Sequence, residues 1–168
     1  YKIGTAVLTH ESGKDVGEDD GQFKVDTYFA HVVLDGDTIV DVYIDVAQNT
    51  VKFDATGALT SFSAAGGKGT KKELGDDYNM ATYANAVQEW YKQMESLEEW
   101  IEGKTLQEFL DMPVFQRDDA HPSVPDVEDL KSSVTITVEN YQEVVKMAVE
   151  NAVEVKDVVS VGTKSITS

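Results

Sequence analysis

The sequence predicts an α+β domain in which an antiparallel sheet comes first and helices follow. Two observations support this fold class. The first 63 residues consist of β-rich runs separated by short turn sequences, as in an antiparallel meander. Beyond them, apolar residues recur at the spacing of a helix rather than in alternation. We therefore expect a sheet with a long amphipathic helix and a C-terminal helix packed on it.

Three β-rich runs predict the strands. "YKIGTAVLT" is the first, and a polar, glycine-punctuated loop follows it. "FKVDTYFAHVVLDGDTIVDVYIDVAQ" predicts a hairpin around "DGDT", and "NTVKFDATGALTSFS" predicts another around "DATG". In the second arm of the first hairpin, alternate residues are predicted to face the core: Val40, Val42, Ile44 and Val46. The opposite face would then carry Ile39, Asp41, Tyr43 and Asp45.

Helical spacing predicts three helices. The long one follows from an apolar stripe that repeats every three or four residues and stops at Gly103: Tyr83, Val87, Trp90, Met94, Leu97 and Ile101. Thr105 and Glu108 have capping-box spacing and open a short helix that ends before Pro113. The C-terminal helix is outlined by Tyr141, Val144, Val145, Ala148 and Ala152.

Composition restricts the partners and the compartment. The chain has 31 acidic and 14 basic residues, a net charge of -17, and no basic patch, so we expect no nucleic-acid partner. The absence of cysteine excludes disulfides, thiol catalysis and cysteine-bound metals. No apolar run is long enough to span a membrane. Because the chain begins at Tyr1 directly in a strand, we expect a processed, exported bacterial protein that has lost an N-terminal signal or lipid-anchor segment.

The stretch "DLKSSVTITVENY" (residues 129–141) carries the main functional candidate. As a strand it would place Val134, Ile136 and Val138 on one face and the hydroxyls of Ser133, Thr135 and Thr137 on the other. A helix is predicted to start near Thr137 or Asn140. The pattern leaves two interpretations open: an edge strand with incidental hydroxyls, or a phosphate site at a helix N-terminus.

Other chemical signatures are sparse. The acidic clusters at 17–21 and 117–121 do not have the spacing of a calcium loop, so no metal site is predicted. No Ser-His-Asp, HExxH or P-loop pattern is present, and no catalytic residue is assigned. His121, with Asp118 and Asp119 nearby, is a candidate general base and keeps an enzymatic hypothesis open.

The same stretch resembles the C-terminal signature of the FMN-binding domain family, which is Asp-x-x-Ser-Gly-Ala-Thr-x-Ser/Thr followed by an apolar helix. Asp129, Ser132, Thr135 and Thr137 fall on that pattern, and "VVKMAV" (144–149) is similar to the helix. The "VVLDGDTIVDVYID" hairpin also resembles that family's early strand pair. Over most of its length the chain is similar to exported clostridial-type lipoproteins that contain this domain, sometimes in tandem.

The resemblance implies an extracellular, membrane-anchored flavoprotein of the cell surface that transfers electrons to a redox partner rather than catalysing a reaction on its own substrate. Thr135 would be the hydroxyl to which a flavin transferase joins FMN, using FAD and magnesium. Ser132, Ser133 and Thr137 would neighbour the phosphate, and Asp129 would orient it. Ser133-Val134 replaces the family's Gly-Ala pair, so covalent FMN and non-covalent FMN both stay open. A non-catalytic surface module that keeps the fold without flavin is the alternative.

The chain divides into an FMN-binding-like domain (1–155) and a C-terminal piece (156–168). "SVGTKSITS" echoes "KIGTAVLTH" from the start, with Gly4-Thr5 and Thr9 matched by Gly162-Thr163 and Thr167. The C-terminal piece is therefore either a further strand of the sheet or the start of a second repeat.

Overall fold

The computed structural model describes residues 1–64, 69–158 and 160–164, without the side chains of residues 63 and 64. In chain order its strands are β1 (Lys2–Lys14), β2 (Gly21–Asp35), β3 (Thr38–Phe53), β4 (Leu59–Ala64), β5 (Val114–Phe115), β6 (Val124–Pro125) and β7 (Val153–Glu154). Five strands form an antiparallel sheet in the order β4-β3-β2-β1-β7, while β5 and β6 pair separately. The predicted α+β class and the antiparallel meander are confirmed.

The helices lie between β4 and β7 in sequence. They are α1 (Lys71–Leu74), α2 (Met80–Tyr83), α3 (Trp90–Ile101), α4 (Leu106–Leu110) and α5 (Glu139–Glu150), with a 3-10 turn at Gly75–Tyr78. The capping box predicted for the short helix is confirmed, because Thr105 and Glu108 exchange side-chain and backbone hydrogen bonds at the start of α4. None of the described helices is long and apolar enough to cross a membrane.

The long amphipathic helix is not confirmed, because α3 begins at Trp90. Tyr83 ends the separate helix α2, and its side chain is 85% exposed. Asn85 has a φ of 48°, a left-handed conformation that interrupts helical geometry. The Glu89 carboxylate accepts hydrogen bonds from the N–H groups of Met80 and Ala81. These bonds turn α2 back onto the start of α3, so the apolar stripe is helical and buried only from Trp90 onward.

The predicted alternation in β3 is wrong at Ile39, Val40 and Asp45. The register shifts at Val33/Leu34, so that Leu34 pairs with Ile39 and Val33 pairs with Asp41. Val40 is left out of the pairing and points to solvent, whereas Ile39 enters the core. The other predicted core positions of this strand, Val42, Ile44 and Val46, are buried. Asp45, expected on the polar face, is also fully buried.

The core lies between the sheet and the helices α3 and α5. It contains Ala30, Val32 and Ile44 from the sheet, and Met94 and Val144 from the helices. The C-terminal helix is therefore packed on the sheet, as predicted.

β1 and α5 lie in close contact at Gly4. A Cβ atom there would overlap the carbonyl group of Ala148. Glycine is thus required at this point by close packing rather than by an unusual backbone angle.

α5 begins at Glu139, close to the predicted start, but its capping and its last residue differ from the prediction. Val138 is its N-cap and no side chain caps it. Thr137 instead accepts a hydrogen bond from the Ser123 N–H, and the Asn140 amide donates to the Tyr28 hydroxyl. Ala152 lies beyond the last residue of the helix.

The C-terminal piece carries no strand in its described part, residues 156–158 and 160–164. Residue 159 and residues 165–168, which include Thr167 of the sequence echo, lie outside the described residues. The last strand, β7, comes just before this piece and pairs with Lys2 and Ile3 of β1.

Candidate functional site

Residues 128–133 form turns, and residues 134–138 lead from them into α5 without joining a sheet. The strand that the alternation of this stretch suggested is therefore not formed. The predicted alternation is nevertheless present, since Val134, Ile136 and Val138 are buried whereas the hydroxyl-bearing residues between them are half-buried. Because residues 134–138 lie outside both sheets, their backbone polar groups must be satisfied by other contacts, and those contacts define the site.

Two glutamines hold the segment. The Gln93 side-chain oxygen accepts the Thr135 N–H at 2.8 Å and lies 3.4 Å from the Thr135 hydroxyl. The Gln88 amide donates to the Ser133 carbonyl at 3.0 Å, and the Gln93 amide donates to the Gln88 carbonyl at 2.9 Å. We call Gln88 and Gln93 the glutamine clamp. Gln93 is fully buried in α3, so the clamp fastens the segment to the helix.

An arginine holds Thr135 from the other side. Arg117 Nη1 donates to the Thr135 carbonyl at 2.9 Å, and Arg117 Nε donates to Asp118 at 3.1 Å. Asp118 also lies 2.7 Å from His121 Nδ1. This contact with His121, together with Arg117, lowers the pKa of Asp118 to about 2. The carboxylate is thus ionised at neutral pH and orients both Arg117 and His121.

A cleft of about 470 Å³ opens in front of Thr135. We call it the Thr135 cleft; its lining residues are Phe115, Arg117, Val124, Pro125, Asp126, Lys131, Val134 and Thr135. Its walls combine an apolar surface with two cations, one carboxylate and one hydroxyl. An apolar surface with a few polar and charged groups is typical of sites for small molecules.

The cations of the Thr135 cleft are partly neutralised. Lys131 lies 3.2 Å from Asp126 and 3.6 Å from Glu128, and the hydrogen bond with Asp126 raises the pKa of Lys131. Arg117 is paired with Asp118. An anionic ligand therefore has to compete with carboxylates for these cations.

The structure separates the predicted site residues. Thr135 lines the Thr135 cleft, whereas Asp129 and Ser133 line a different, shallow depression beside Trp100 and Lys104. Ser132 is exposed, and its side chain is outside both depressions.

Thr137 lies near the start of α5. Its hydroxyl accepts the Ser123 N–H at 3.3 Å. The Ser123 hydroxyl in turn donates to Glu139 at 2.5 Å. Thr135 is thus the only one of the five predicted residues in the cleft.

The sequence prediction missed Gln93, Arg117, Lys131 and Phe115. Gln93 had a detectable signal, because it is a polar residue beside Trp90 and Met94 on the buried side of α3. Arg117 and Lys131 are basic residues in a strongly acidic chain, but nothing in their spacing indicates that they meet at one cleft.

Within the described residues, no group of three histidine or carboxylate side chains is placed to bind a metal ion. His121 has Asp118 as its partner and no metal-ligand geometry.

Comparison of the chain with models of known protein families, with curated proteins and with solved structures finds no significant match. The site is therefore interpreted from its own geometry and chemistry.

Proposed function

We propose that this protein binds flavin mononucleotide reversibly in the Thr135 cleft and acts as an electron-transfer module. One observation carries the proposal. Thr135, the residue that matches the attachment threonine of the flavin signature, lines a cleft that also contains two cations and an aromatic side chain.

The chemistry of the cleft fits the two halves of FMN. Arg117 and Lys131 provide positive charge for the phosphate, and the Thr135 hydroxyl provides a hydrogen bond. Phe115, Val124 and Val134 provide an apolar surface for the ring system. The volume of about 470 Å³ lies within the range of small-molecule sites. Bound flavin would supply the capacity to accept and donate one or two electrons.

The wider setting of the proposal is an exported module. We place the domain outside the cell membrane, as part of a lipid-anchored surface protein that exchanges electrons with a redox partner. Its acidic, cysteine-free composition and the resemblance of residues 129–137 to the flavin signature support this setting. A flavin transferase is a further partner if Thr135 is modified covalently.

A second candidate function is a surface binding module without flavin. The pairing of Arg117 with Asp118, and of Lys131 with Asp126, favours this alternative because it reduces the attraction for a phosphate. The two functions differ in whether FMN binds at all.

Titration of FMN with the purified protein, followed by quenching of flavin fluorescence, tests the proposal. We expect saturable binding by the wild type and about tenfold weaker binding by Arg117→Gln, since a charge-assisted hydrogen bond contributes about 1.4 kcal/mol or more. Ser132→Ala is the matched control, because this hydroxyl lies outside the cleft, and it should bind like the wild type.

Incubation with a flavin transferase, FAD and magnesium separates covalent from reversible binding. Labelling of the wild type but not of Thr135→Val would assign Thr135 as the attachment residue. A protein that neither binds FMN nor accepts it from the transferase would refute the flavin function and support the flavin-free module.

A further inference from the structure

The strand β4 leaves one edge of the main sheet open. It is the terminal strand in the order β4-β3-β2-β1-β7 and pairs only with residues Asn49 to Phe53 of β3. Its other edge has no strand partner within the part of the chain that the structure describes. Such an edge presents backbone N–H and C=O groups that are free to pair with another strand.

The sequence of this edge lacks the usual protection against pairing. No charged residue and no proline occurs between residues 55 and 67, although 27% of the chain is charged. Native edge strands are commonly protected by charges, by proline or by a covering element. The strand β4 carries neither charge nor proline, and its register irregularity at Thr60 leaves residues 61 to 64 as the regular stretch of open edge available to another strand.

Apolar side chains adjoin the open edge. Phe62 and Leu59 are 68% and 64% exposed. Phe62 pairs with Val51, and Val51 pairs with Phe23, so the three side chains form a row across three strands on the face opposite the helices. Phe23 is itself 46% exposed. The row ends at the open edge with its most exposed member.

We propose that a second copy of this chain pairs its own β4 antiparallel to this edge. The net charge of -17 makes two copies repel each other over most of their surfaces, whereas the uncharged edge does not. In a two-fold dimer the same surface of each copy contacts its counterpart, so that surface must be complementary to itself. An uncharged strand that pairs antiparallel to an identical strand meets this condition.

A two-fold axis at Phe62 gives the pairing a definite geometry. Directly opposed residues of antiparallel strands point to the same face, so the two Phe62 side chains become a cross-strand pair. The row of Phe23, Val51 and Phe62 then continues into the second copy, and the two five-stranded sheets become one.

Sedimentation velocity over a series of protein concentrations tests self-association. Because β4 has only six residues, we expect a weak, reversible dimer, and added sodium chloride should strengthen it by screening the negative charges. Phe62→Glu should remain monomeric. Tyr83→Glu is the matched control, since it adds the same charge at an aromatic residue that is even more exposed and lies outside β4, and it should dimerise like the wild type.

Cross-linking tests the geometry independently of affinity. The chain contains no cysteine, so Phe62→Cys introduces a single thiol. Opposed Cβ atoms in a strand pair lie about 4.5 to 5.5 Å apart, so a small local shift brings them within the disulfide range of about 3.5 to 4.5 Å. We expect Phe62→Cys to form a disulfide-linked dimer at least tenfold faster than Tyr83→Cys under mild oxidation. Circular dichroism verifies that each variant is folded.

Two results would overturn the proposal. The first is a wild type that stays monomeric at all protein and salt concentrations. This result would overturn the proposal even if β4 were found to pair with an unrelated extended peptide. The second is a dimer in which Phe62→Cys and Tyr83→Cys cross-link at the same rate, since that dimer would not use the β4 edge.

Discussion

The side-chain oxygen of Gln93 accepts the backbone N–H of Thr135 at 2.8 Å, across 42 residues of sequence. This hydrogen bond satisfies a backbone N–H that lies outside both sheets. Gln93 is fully buried, so both groups would be unsatisfied without it. The position of Thr135, the central residue of the candidate site, therefore depends on a glutamine from a different element.

Replacing Gln93 by alanine should destabilise the protein by about 2–4 kcal/mol, because it leaves the Thr135 N–H and the Gln88 carbonyl without their partner and creates a small cavity. Urea denaturation at pH 7 measures the change. Gln107→Ala is the control: its amide bonds Asp111 at the surface, and the expected loss is below about 0.5 kcal/mol. Equal stability of the two variants would contradict the role of the clamp.

Replacing Gly4 by alanine should cost several kcal/mol, on the order of 3 or more, because the new methyl group overlaps the Ala148 carbonyl and forces β1 and α5 apart. Thermal unfolding measures the effect. A Cβ at Gly17 meets no atom within 4 Å, so Gly17→Ala is the matched control and should be nearly neutral. A neutral Gly4→Ala would show that the helix can shift without loss.

The buried Glu98 should make stability depend on pH. Burial raises the pKa of this carboxyl to about 7, although Lys72 and the Ile44 N–H oppose the shift. The folded state therefore holds a proton that the unfolded state releases near pH 4.5. The stabilisation that comes from holding this proton in the folded state is fully present below pH 4.5 and is lost as the pH rises through about 7.

Glu98→Gln removes that titration. Between pH 4.5 and 7 the wild type should lose stability relative to the variant by about 1.4 kcal/mol per pH unit. Chemical denaturation at several pH values measures the difference, with the exposed Glu11→Gln as the control. Parallel pH profiles for wild type and Glu98→Gln would contradict the assignment.

The buried Lys71 should make the stability of the protein depend on pH in the alkaline range. Its ammonium group lies 5.1 Å from the ring centroids of both Tyr78 and Trp90, and burial lowers its pKa to about 8, while Asp26 opposes the shift. The folded state thus releases a proton that the unfolded state keeps until about pH 10.5. The cost of the buried charge is full below pH 8 and declines above it.

Lys71→Met abolishes this dependence. From pH 8 to 10, the wild type should gain stability relative to the variant by about 1.4 kcal/mol per pH unit. The free energy of unfolding in urea measures the gain, and the exposed Lys146→Met serves as the control. A constant difference between wild type and Lys71→Met over this range would show that Lys71 keeps its ordinary pKa.

The sequence alone indicated the fold class and most of its elements. Alternation and helical spacing are local patterns, so the hairpins, the apolar half of α3 and the capping box at Thr105 were all predictable. The same reasoning overextended α3 toward Tyr83, because an apolar period does not reveal that Asn85 adopts a left-handed conformation. It also misplaced Val40, since the bulge depends on pairing with β2 rather than on the sequence of β3.

For the candidate site, the sequence by itself determined that Thr135 alternates with buried apolar residues ahead of a helix. Only the tertiary structure decided what surrounds it. Gln93, Arg117 and Lys131 come from three separate segments and meet around Thr135. They meet because α3 packs on the sheet and because the segment from β5 to β6 lies against Thr135. Contacts of that kind depend on how distant segments pack, which no local spacing encodes.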